Sequence, residues 1–396
     1  MTRVFAAAPR LGADPIVSVM TAFRADPRPD KIDLGVGVYR DAAGQTPVFR
    51  AVAAAERQVL DSQTTKAYTA LAGDEAYHRA LGALALGPQA DWSRLAALAA
   101  PGGTGALRHA AELIRACRPD SQFWLPEPTW PNHPAILKAM HLRYRGFRYY
   151  DAAHGRVDPE AMLADLAAVA PGDVVLLHGG CHNPTGADPD AETWAALADL
   201  CAQRGAIPLI DTAYQGFGRG LDADMAGPRH MLGQVPEALV ALSCSKNFGL
   251  YRERAGLLLV QSAASDRNIV QDALAWQNRL AYAFPPDHGA RVVTTILEDP
   301  ALRQDWQDEL TGMRDRIGHL RKALAEALRT RLNAARMDWL ADGRGMFSLL
   351  PLSPDQVETL RNRHGIYMIP DGRINLAGAA TEDMPRIADA LADCGL

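Results

Sequence analysis

The stretch SCSKNFGLYRERAG at residues 243–256 decides the fold of this chain. It follows ALVAL at 238–242, a continuous apolar run that is typical of a buried parallel strand. Ser243, Ser245 and Lys246 would therefore emerge at the carboxyl end of this strand. Because ligands bind at that edge of open α/β sheets, the stretch predicts an α/β fold with a ligand site around Lys246.

Further apolar runs alternate with helical patterns through the middle of the chain. They are QFWLP at 122–126, DVVLLH at 173–178, AIPLID at 206–211, ALVALS at 238–243 and GLLLVQ at 256–261. Between two of them, residues 192–205 carry apolar side chains at helical spacing and stop at a glycine, where helices commonly end. This alternation predicts a mostly parallel sheet with crossover helices.

The last third of the chain predicts a smaller α+β domain. Residues 301–333 would form one long helix, GMFSLLPL at 345–352 and IYMIPDGRINLAG at 366–378 would form short strands, and a helical pattern starts at Met384. The N-terminal segment would complete this domain. The expected units are residues 1–47 as an N-terminal arm and part of the small domain, 48–305 as the large domain, and 306–396 as the rest of the small domain.

Composition narrows the class of protein. The chain has 396 residues and a net charge of -5, so it gives no reason to expect a nucleic acid or an anionic membrane as partner. No apolar run approaches the length of a membrane span, and Pro9 and Arg10 interrupt the start before a secretory signal could form. Five widely spaced cysteines without a CxxC pair indicate reduced thiols in a cytoplasmic protein.

A glycine-rich segment precedes a strong helical pattern in PGGTGALRHAAELIRAC at 101–117. Free backbone N–H groups at a helix N-terminus bind phosphate, and glycine allows the anion to approach closely. A simple turn between a strand and a helix would give the same pattern. The segment by itself leaves both interpretations open, although its spacing is not the GxGxxG of a dinucleotide site.

Two polar residues follow other strand-like runs. Asp211 closes AIPLID, where a buried carboxylate must either cap the following turn or pair with a cation such as a protonated heteroaromatic nitrogen. Asn183 precedes a proline in a turn that would hold its amide rigidly. His178 and His182 are four apart, but the glycines between them and Pro184 exclude a helix, so we expect no metal site.

Lys246 has a chemical reason to lie among these groups. A partly desolvated lysine loses its proton more easily and can form a Schiff base with an aldehyde. Ser243, Ser245 and Arg254 would donate hydrogen bonds to a phosphate. A lysine for an aldehyde, Asp211 for a ring nitrogen and a cradle for a phosphate together predict pyridoxal 5'-phosphate as cofactor.

With these residues in place, the whole chain resembles the fold-type I aminotransferases of subgroup Iα, the aspartate and aromatic amino acid aminotransferases. The matching blocks, in family order, are RADPRPDKIDLGVGVYRD, TTKAYTALAGD, PGGTGALR, PTWPNH, CHNPTG, DTAYQGFGRGL, SCSKNFGLYRERAG, PPDHGA, GMFS and GRINLAG. The resemblance implies a large domain with a mostly parallel seven-stranded sheet, a smaller α+β domain, and a homodimer with shared active sites.

The resemblance also implies a role for each matching residue, with Lys246, Asp211 and Tyr214 as catalytic residues. Lys246 would bind the cofactor and later move the substrate proton, and Asp211 would pair with the ring nitrogen. Asn183 and Tyr214 would form hydrogen bonds with the phenolic oxygen of the cofactor, and Trp130 would stack on the cofactor ring. The phosphate would be held by Gly103, Thr104, Ser243, Ser245 and Arg254, and by Tyr68 from the other subunit.

Substrate binding follows from the same comparison. Arg373 would bind the α-carboxylate, with Asn183, Trp130 and the backbone of Gly37 beside it. Arg279 matches the partner-subunit arginine that binds the second carboxylate of a dicarboxylic substrate.

The segment after Arg279 departs from the dicarboxylate pattern. Ala283 and Phe284 stand where members devoted to dicarboxylates tend to have polar residues, and YAFPP is closer to bacterial aromatic aminotransferases. We therefore expect aromatic substrates to bind with Arg279 swung aside and dicarboxylates to bind with it engaged.

The expected function is a ping-pong transfer of the amino group of aromatic amino acids and/or aspartate to 2-oxoglutarate, giving glutamate and a 2-oxo acid. A strict aspartate aminotransferase is the alternative. Other pyridoxal phosphate reactions, such as β-elimination or decarboxylation, and a non-catalytic binding protein on this fold also remain open.

Overall fold

A computed structural model of the protein describes residues 3–8 and 15–396. Residues 1–2 and 9–14 lie outside the described residues, and with them Pro9, Arg10 and part of the predicted N-terminal arm.

Helices and strands alternate along the chain. Within the described residues the α-helices, α1 to α14 in chain order, are Pro15–Ala25, Arg50–Ser62, Glu75–Leu86, Gly102–Cys117, Asn132–Ala139, Pro159–Leu166, Ala191–Arg204, Leu221–Asp224, Ala226–Gln234, Arg267–Ala281, His288–Glu298, Pro300–Leu332, Pro354–Thr359 and Met384–Asp393. The strands, β1 to β13, are Ile32–Asp33, Leu95–Pro101, Gln122–Glu127, Arg143–Arg148, Tyr150–Asp151, Arg156–Val157, Val174–His178, Ile207–Thr212, Ala238–Ser243, Ala255–Gln261, Phe347–Leu349, Ile366–Tyr367 and Arg373–Asn375.

Seven of these strands form the main sheet, in the order β2-β10-β9-β8-β7-β3-β4. All pairs from β9 to β4 are parallel, whereas β10 runs antiparallel to both of its neighbours. The predicted mostly parallel seven-stranded sheet is confirmed, and the apolar runs predicted from the sequence coincide with β3, β7, β8, β9 and β10. The sequence did not predict β2 and β4.

The main sheet is buried on both faces, as a parallel sheet requires. Successive residues of β9 show this alternation, since Leu239 and Ala241 pack into one apolar cluster while Val240 and Leu242 pack into the other. Helices α4 and α10 cover the first face, and α3, α7 and α11 cover the second. Polar side chains are therefore left mainly to the strand ends.

A separate apolar cluster lies toward the C-terminus. It joins the second half of α12 to α14, to the two-stranded pair β1-β12 and to β13. Asp299 starts α12 by accepting hydrogen bonds from the backbone of Ala301 and Leu302, and Asn333 ends it in a left-handed conformation. The predicted long helix is confirmed, while the domain boundaries at residues 47 and 305 stay a prediction.

In the part of the chain that the structure describes, every helix is too short or too polar to cross a membrane.

Candidate active site

The cleft opens at one edge of the main sheet, where several strands end or begin. His178 at the end of β7 pairs with Asp211 near the end of β8, and Ser243 at the end of β9 pairs with Gly256 at the start of β10. Pro101 at the end of β2 pairs with Ala255. Strand register thus brings residues far apart in sequence to the carboxyl edge, where the sequence predicted a ligand site.

The N-terminus of α4 and the start of β10 form one side of this cleft. Gly102 has φ +70°, and a Cβ there would lie 2.4 Å from Nη2 of Arg254. A Cβ on Gly103 would lie 3.0 Å from the Cβ of Ser243. Both glycines therefore let the helix N-terminus approach the arginine and the serine, which makes a compact set of hydrogen-bond donors.

Arg254 is fixed at this position by its own hydrogen bonds. Its Nη2 donates to the carbonyl of Pro101 at 3.2 Å and its Nη1 donates to Oγ of Ser245 at 3.4 Å. The backbone N–H of Ser245 donates to Oγ of Ser243 at 3.3 Å. A guanidinium, two hydroxyls and a helix N-terminus face one space, which is the donor set that a phosphate requires.

Lys246 is half-buried in the turn after β9. Its Nζ lies 4.9 Å from the centre of the Tyr214 ring. Burial lowers the pKa of Lys246 to about 8, and the positive charges of Arg254 and Arg373 act in the same direction, whereas the carboxylate of Asp211 opposes them. The amine is thus closer to its neutral, nucleophilic form than an exposed lysine would be.

Asp211 is buried and paired. Burial raises its pKa, but the hydrogen bond from His133, with Nε2 3.0 Å from Oδ2, and the positive charge of Lys246 lower it, and the net shift is downward. The carboxylate therefore stays ionised. The structure excludes the alternative that Asp211 serves only to cap a turn.

Behind Asp211 lies a group of side chains that the sequence did not predict as part of the site. Thr129 Oγ1 lies 2.8 Å from Nδ1 of His133 and 3.3 Å from Nε2 of His178. The rings of His178 and His182 are 4.1 Å apart between centroids. Burial lowers the pKa of His178 to about 3, so this ring is neutral and its nitrogens exchange hydrogen bonds without adding charge.

Arg373 lies on β13 and contacts Asn183, one of the residues that line the cleft. Its Nη1 donates to Oδ1 of Asn183 at 3.3 Å, and its Cζ lies 4.8 Å from the centre of the Phe347 ring. Arg373 and Asn183 are both buried. Tyr214 is buried as well, which raises the pKa of its phenol and keeps it protonated, although Arg373 opposes the shift.

The cleft has a cavity volume of about 190 Å³. Among its lining residues are these predicted site residues: Gly37, Gly103, Thr104, Trp130, Asn183, Asp211, Tyr214, Ser243, Ser245, Lys246 and Arg254. Tyr251 also lines it and was not predicted; its Oη accepts a hydrogen bond from the backbone of Tyr39. A phosphate cradle, an amine of lowered pKa and a buried carboxylate in one cleft fit pyridoxal phosphate.

Three predicted site residues are not among those that line this cleft: Arg373, which lies behind the lining residue Asn183, and Tyr68 and Arg279, which lie farther away. Tyr68 is 82% exposed and stacks on Phe284. Arg279 is exposed in the last turn of α10, and the described residues offer it no ion-pair partner. The prediction that Tyr68 and Arg279 serve the cleft of another subunit agrees with these positions but stays a prediction.

The sequence pattern of the aminotransferase class I and II family matches residues 29–391. The chain belongs to this family. The predicted membership and fold are therefore confirmed, and the protein is an aminotransferase. The family is pyridoxal phosphate-dependent, which agrees with the chemistry of the cleft.

Curated relatives span nearly the whole aminotransferase chain. It is 49% identical to the aromatic-amino-acid aminotransferase of Paracoccus denitrificans, covering 97% of this chain and 98% of that protein. The tyrosine aminotransferase of Rhizobium meliloti is 50% identical, again covering 97% and 98%. The aspartate aminotransferase of Salmonella typhi is 42% identical, covering 96% and 97%.

Solved structures give the same assignment. An aromatic amino acid aminotransferase with 3-indolebutyric acid superposes with a TM-score of 0.97 at 48% identity, covering 99% of this chain and 100% of that one. The Burkholderia pseudomallei aromatic-amino-acid aminotransferase, covalently bound to pyridoxal phosphate, has a TM-score of 0.96 at 36% identity, covering 100% of each. A Psychrobacter sp. B6 aromatic amino acids aminotransferase cocrystallised with aspartic acid has a TM-score of 0.95 at 36% identity, covering 98% and 99%.

Proposed function

We propose that this aminotransferase binds pyridoxal 5'-phosphate and moves the amino group of aromatic amino acids and aspartate to 2-oxoglutarate in two half-reactions. The observation that carries the proposal is the convergence of Lys246, Asp211 and the Arg254–Ser245 pair on one cleft. The cofactor, when bound, withdraws electrons from the substrate's Cα and so makes its proton acidic.

The chain's own residues would then hold the reactants and move this proton. Ser243, Ser245, Arg254 and the N-terminus of α4 bind the phosphate, which fixes the position of the ring. The ionised Asp211 keeps a proton on the ring nitrogen. Lys246, with its pKa near 8, would accept the proton from the substrate's Cα and return it to C4′ of the cofactor.

Two side chains would orient the substrate. Arg373 binds the α-carboxylate with its two-pronged guanidinium, and Asn183, already 3.3 Å from it, restrains its position. Trp130 covers the ring and excludes water from one face. These contacts hold any α-amino acid, so discrimination between substrates falls to the groups that face the side chain.

The proposal includes a homodimer that completes the cleft. Ile269, Trp276 and Leu280 are 71%, 60% and 66% exposed, and their spacing places them on one stripe of α10. Arg279 lies beside this stripe. A second copy covering it would shield a large apolar surface from water and bring Arg279 and Tyr68 to the partner's site.

Substrate range follows from Arg279 in this arrangement. Engaged, Arg279 pairs with the second carboxylate of aspartate; swung aside, it leaves room for an aromatic ring. The relatives named for aromatic substrates support this reading, as does the Psychrobacter aromatic enzyme cocrystallised with aspartic acid. The aspartate aminotransferase at 42% identity supports the alternative of a strict aspartate enzyme.

A single half-reaction tests the proposal. The holoenzyme is mixed separately with aspartate, phenylalanine and tyrosine, and the loss of the cofactor's visible absorption is followed at several concentrations. Fast loss with all three is expected. In Arg279→Ala the rate constant at low concentration should fall strongly for aspartate and little for phenylalanine, because only aspartate loses a charged partner.

Other outcomes of this experiment select the alternatives. Loss with aspartate alone would make the protein a strict aspartate aminotransferase. No loss with any of the three would contradict the substrate class and leave only the cofactor. Equal effects of Arg279→Ala on both substrates would mean that Arg279 does not contact the substrate side chain.

A further inference from the structure

An aromatic pair stands on the surface, away from the cleft of its own chain. The rings of Tyr68 and Phe284 lie 4.5 Å apart between centroids, and their planes differ by 12°. Tyr68 is 82% exposed, and the stack with Phe284 is its one ring contact among the described residues. Within the described residues, Phe284 is thus the ring that contacts Tyr68.

Phe284 is held by an unusual turn. Ala283, just before it, has φ +67°, a conformation that non-glycine residues rarely adopt and that tends to persist where the surroundings impose it. The backbone N–H of Phe284 donates to the carbonyl of Tyr282 at 2.9 Å. In this turn the Phe284 ring stacks on Tyr68.

One buried residue anchors both halves of the pair. Asn278 donates from Nδ2 to the carbonyl of Leu71, in the segment that carries Tyr68, at 2.8 Å. Its Oδ1 accepts a hydrogen bond from Oη of Tyr282, in the turn that carries Phe284, at 2.5 Å. His109 Nε2 lies 2.8 Å from the same Tyr282 oxygen. The two segments are thus fixed relative to each other at their bases, and the exposed rings continue that alignment outward.

An exposed stacked pair with such support is a built feature rather than a chance contact. Aromatic pairs contribute modestly beyond their buried area, so the stack alone does not account for a left-handed alanine and a buried asparagine that serve it. This support is useful if the Tyr68 side chain must be ordered before a partner binds. A pre-ordered side chain loses little conformational entropy during binding, so binding is more favourable.

We propose that Phe284 is a positioning residue that holds the Tyr68 phenol ready to donate a hydrogen bond to the cofactor phosphate in the cleft of a second copy of this chain. The proposal rests on the proposed function and its homodimer. It assigns Phe284 a task that an aliphatic residue of similar volume cannot perform, since only a planar ring fixes the plane of Tyr68.

The test measures how fast pyridoxal phosphate leaves the holoenzyme. Tyr68→Phe, Phe284→Leu, Phe284→Tyr and the double variant Tyr68→Phe/Phe284→Leu are compared with the unmodified protein by the release of cofactor into an excess of a trapping carbonyl reagent. Light scattering reports the oligomeric state of each. Tyr144→Leu, which removes a half-exposed aromatic ring on the edge strand β4, is the matched control.

We expect Tyr68→Phe to speed release and Phe284→Leu to speed it by about three- to tenfold, the range of a single stacking contact. Phe284→Tyr, which keeps the stack, should stay within about twofold of the unmodified protein. The double variant should release cofactor no faster than Tyr68→Phe alone, because Phe284 acts through the Tyr68 hydroxyl. All variants should remain dimers, and Tyr144→Leu should behave like the unmodified protein.

The remaining outcomes distinguish a failure of the homodimer with its shared site from a failure of the positioning role of Phe284. A monomeric holoenzyme, or unchanged release in Tyr68→Phe, would contradict the shared site of the proposed function. Faster release in Tyr68→Phe with unchanged release in Phe284→Leu would overturn the positioning role and leave the homodimer standing. Additive effects in the double variant would also overturn it, since Phe284 would then act independently of Tyr68.

Discussion

Several factors shift the pKa of the Lys246 amine, and they do not all act in the same direction. Burial and the charges of Arg254 and Arg373 lower its pKa, whereas Asp211 raises it, and the result is about 8. Between this value and the ordinary 10.5, the unfolded chain binds the proton more tightly than the folded apoprotein. The contribution of Lys246 to folding free energy therefore becomes more favourable as pH rises through that window.

We predict that Lys246 in the apoprotein reacts with an amine-selective reagent with a midpoint near pH 8. In Asp211→Asn the midpoint should fall further, because the charge that favours the protonated amine is gone. The rate of modification at this site, followed by peptide mass mapping from pH 6 to 11, measures both. Lys246→Ala identifies the signal. A midpoint near 10.5 in the unmodified protein would show that the desolvation argument is wrong.

The sequence predicted that Lys246, Asp211 and Arg254 lie together, but not which residues lie behind Asp211. Lys246 and Arg254 stand in one stretch, and Asp211 closes a strand-like run, so strand ends were enough to bring them together. His133 lies 78 residues before Asp211, in the first turn of α5, and no sequence spacing links the two. Such pairs arise from the order of strands in the sheet, which local patterns do not encode.

At the scale of elements, the junction of β2, α4 and β10 limits how the phosphate cradle can be built. Gly102 joins β2 to α4 with φ +70°, its backbone N–H donates to the carbonyl of Arg254 at 2.8 Å, and a Cβ there would lie 2.4 Å from that guanidinium. Any side chain at Gly102 would strain the backbone and displace Arg254 together.

We predict that Gly102→Ala lowers the free energy of unfolding by about 1–3 kcal/mol, the usual cost of a non-glycine residue in this conformation. It should also weaken the binding of inorganic phosphate to the apoprotein. Gly312→Ala, in the exposed middle of α12 with open space around its Cα, is the control and should stabilise by about 0.5–1 kcal/mol. Urea unfolding at fixed protein concentration measures both changes. Gly102→Ala as stable as the unmodified protein would mean that the junction tolerates a Cβ.

Elements with strong periodicity were predictable from the sequence, whereas two strands of the main sheet were not. β2 reads LAALAAP, and alanine favours helices, so a strand of this composition gives no signal of its own. β4 reads RYRGFR and lies at the sheet edge, where arginines replace the apolar run and discourage pairing with another chain. Both segments form strands because they pair with adjacent strands of the sheet, and not because their own residues favour the strand conformation.

At the scale of the whole molecule, Arg321 joins α12 to the segment 340–348. It lies on α12 and is 1% exposed. Within the described part of the chain it donates hydrogen bonds to neutral acceptors only: the carbonyls of Leu340, Arg344, Gly345 and Phe347 and the hydroxyl of Ser348. Burial lowers its pKa to about 10, so it remains charged at neutral pH. The same loop reaches the turn after β7, where the N–H of Arg344 donates to the carbonyl of Gly186 at 2.7 Å.

The sequence could not predict this role, because an arginine in a helix rich in charges is normally solvent-exposed. Residues 342–346, just before β11, have no regular structure, so the carbonyls of Arg344 and Gly345 lack partners in a ladder and depend on the guanidinium of Arg321. Arg321 thus substitutes for backbone pairing at the point where the C-terminal apolar cluster meets the main sheet.

We predict that Arg321→Met, which keeps much of the volume but removes every donor, lowers the free energy of unfolding by about 3–5 kcal/mol, because several buried carbonyls lose their partners at once. Arg321→Lys should recover only part of this, since an ammonium cannot reach the acceptors that the planar fork spans. Arg329→Met on the same helix removes an exposed ion pair with Asp338 and should change stability little. Urea unfolding of the three variants at one protein concentration decides the matter: if Arg321→Met loses no more stability than Arg329→Met, the loop is held by its packing and not by the guanidinium.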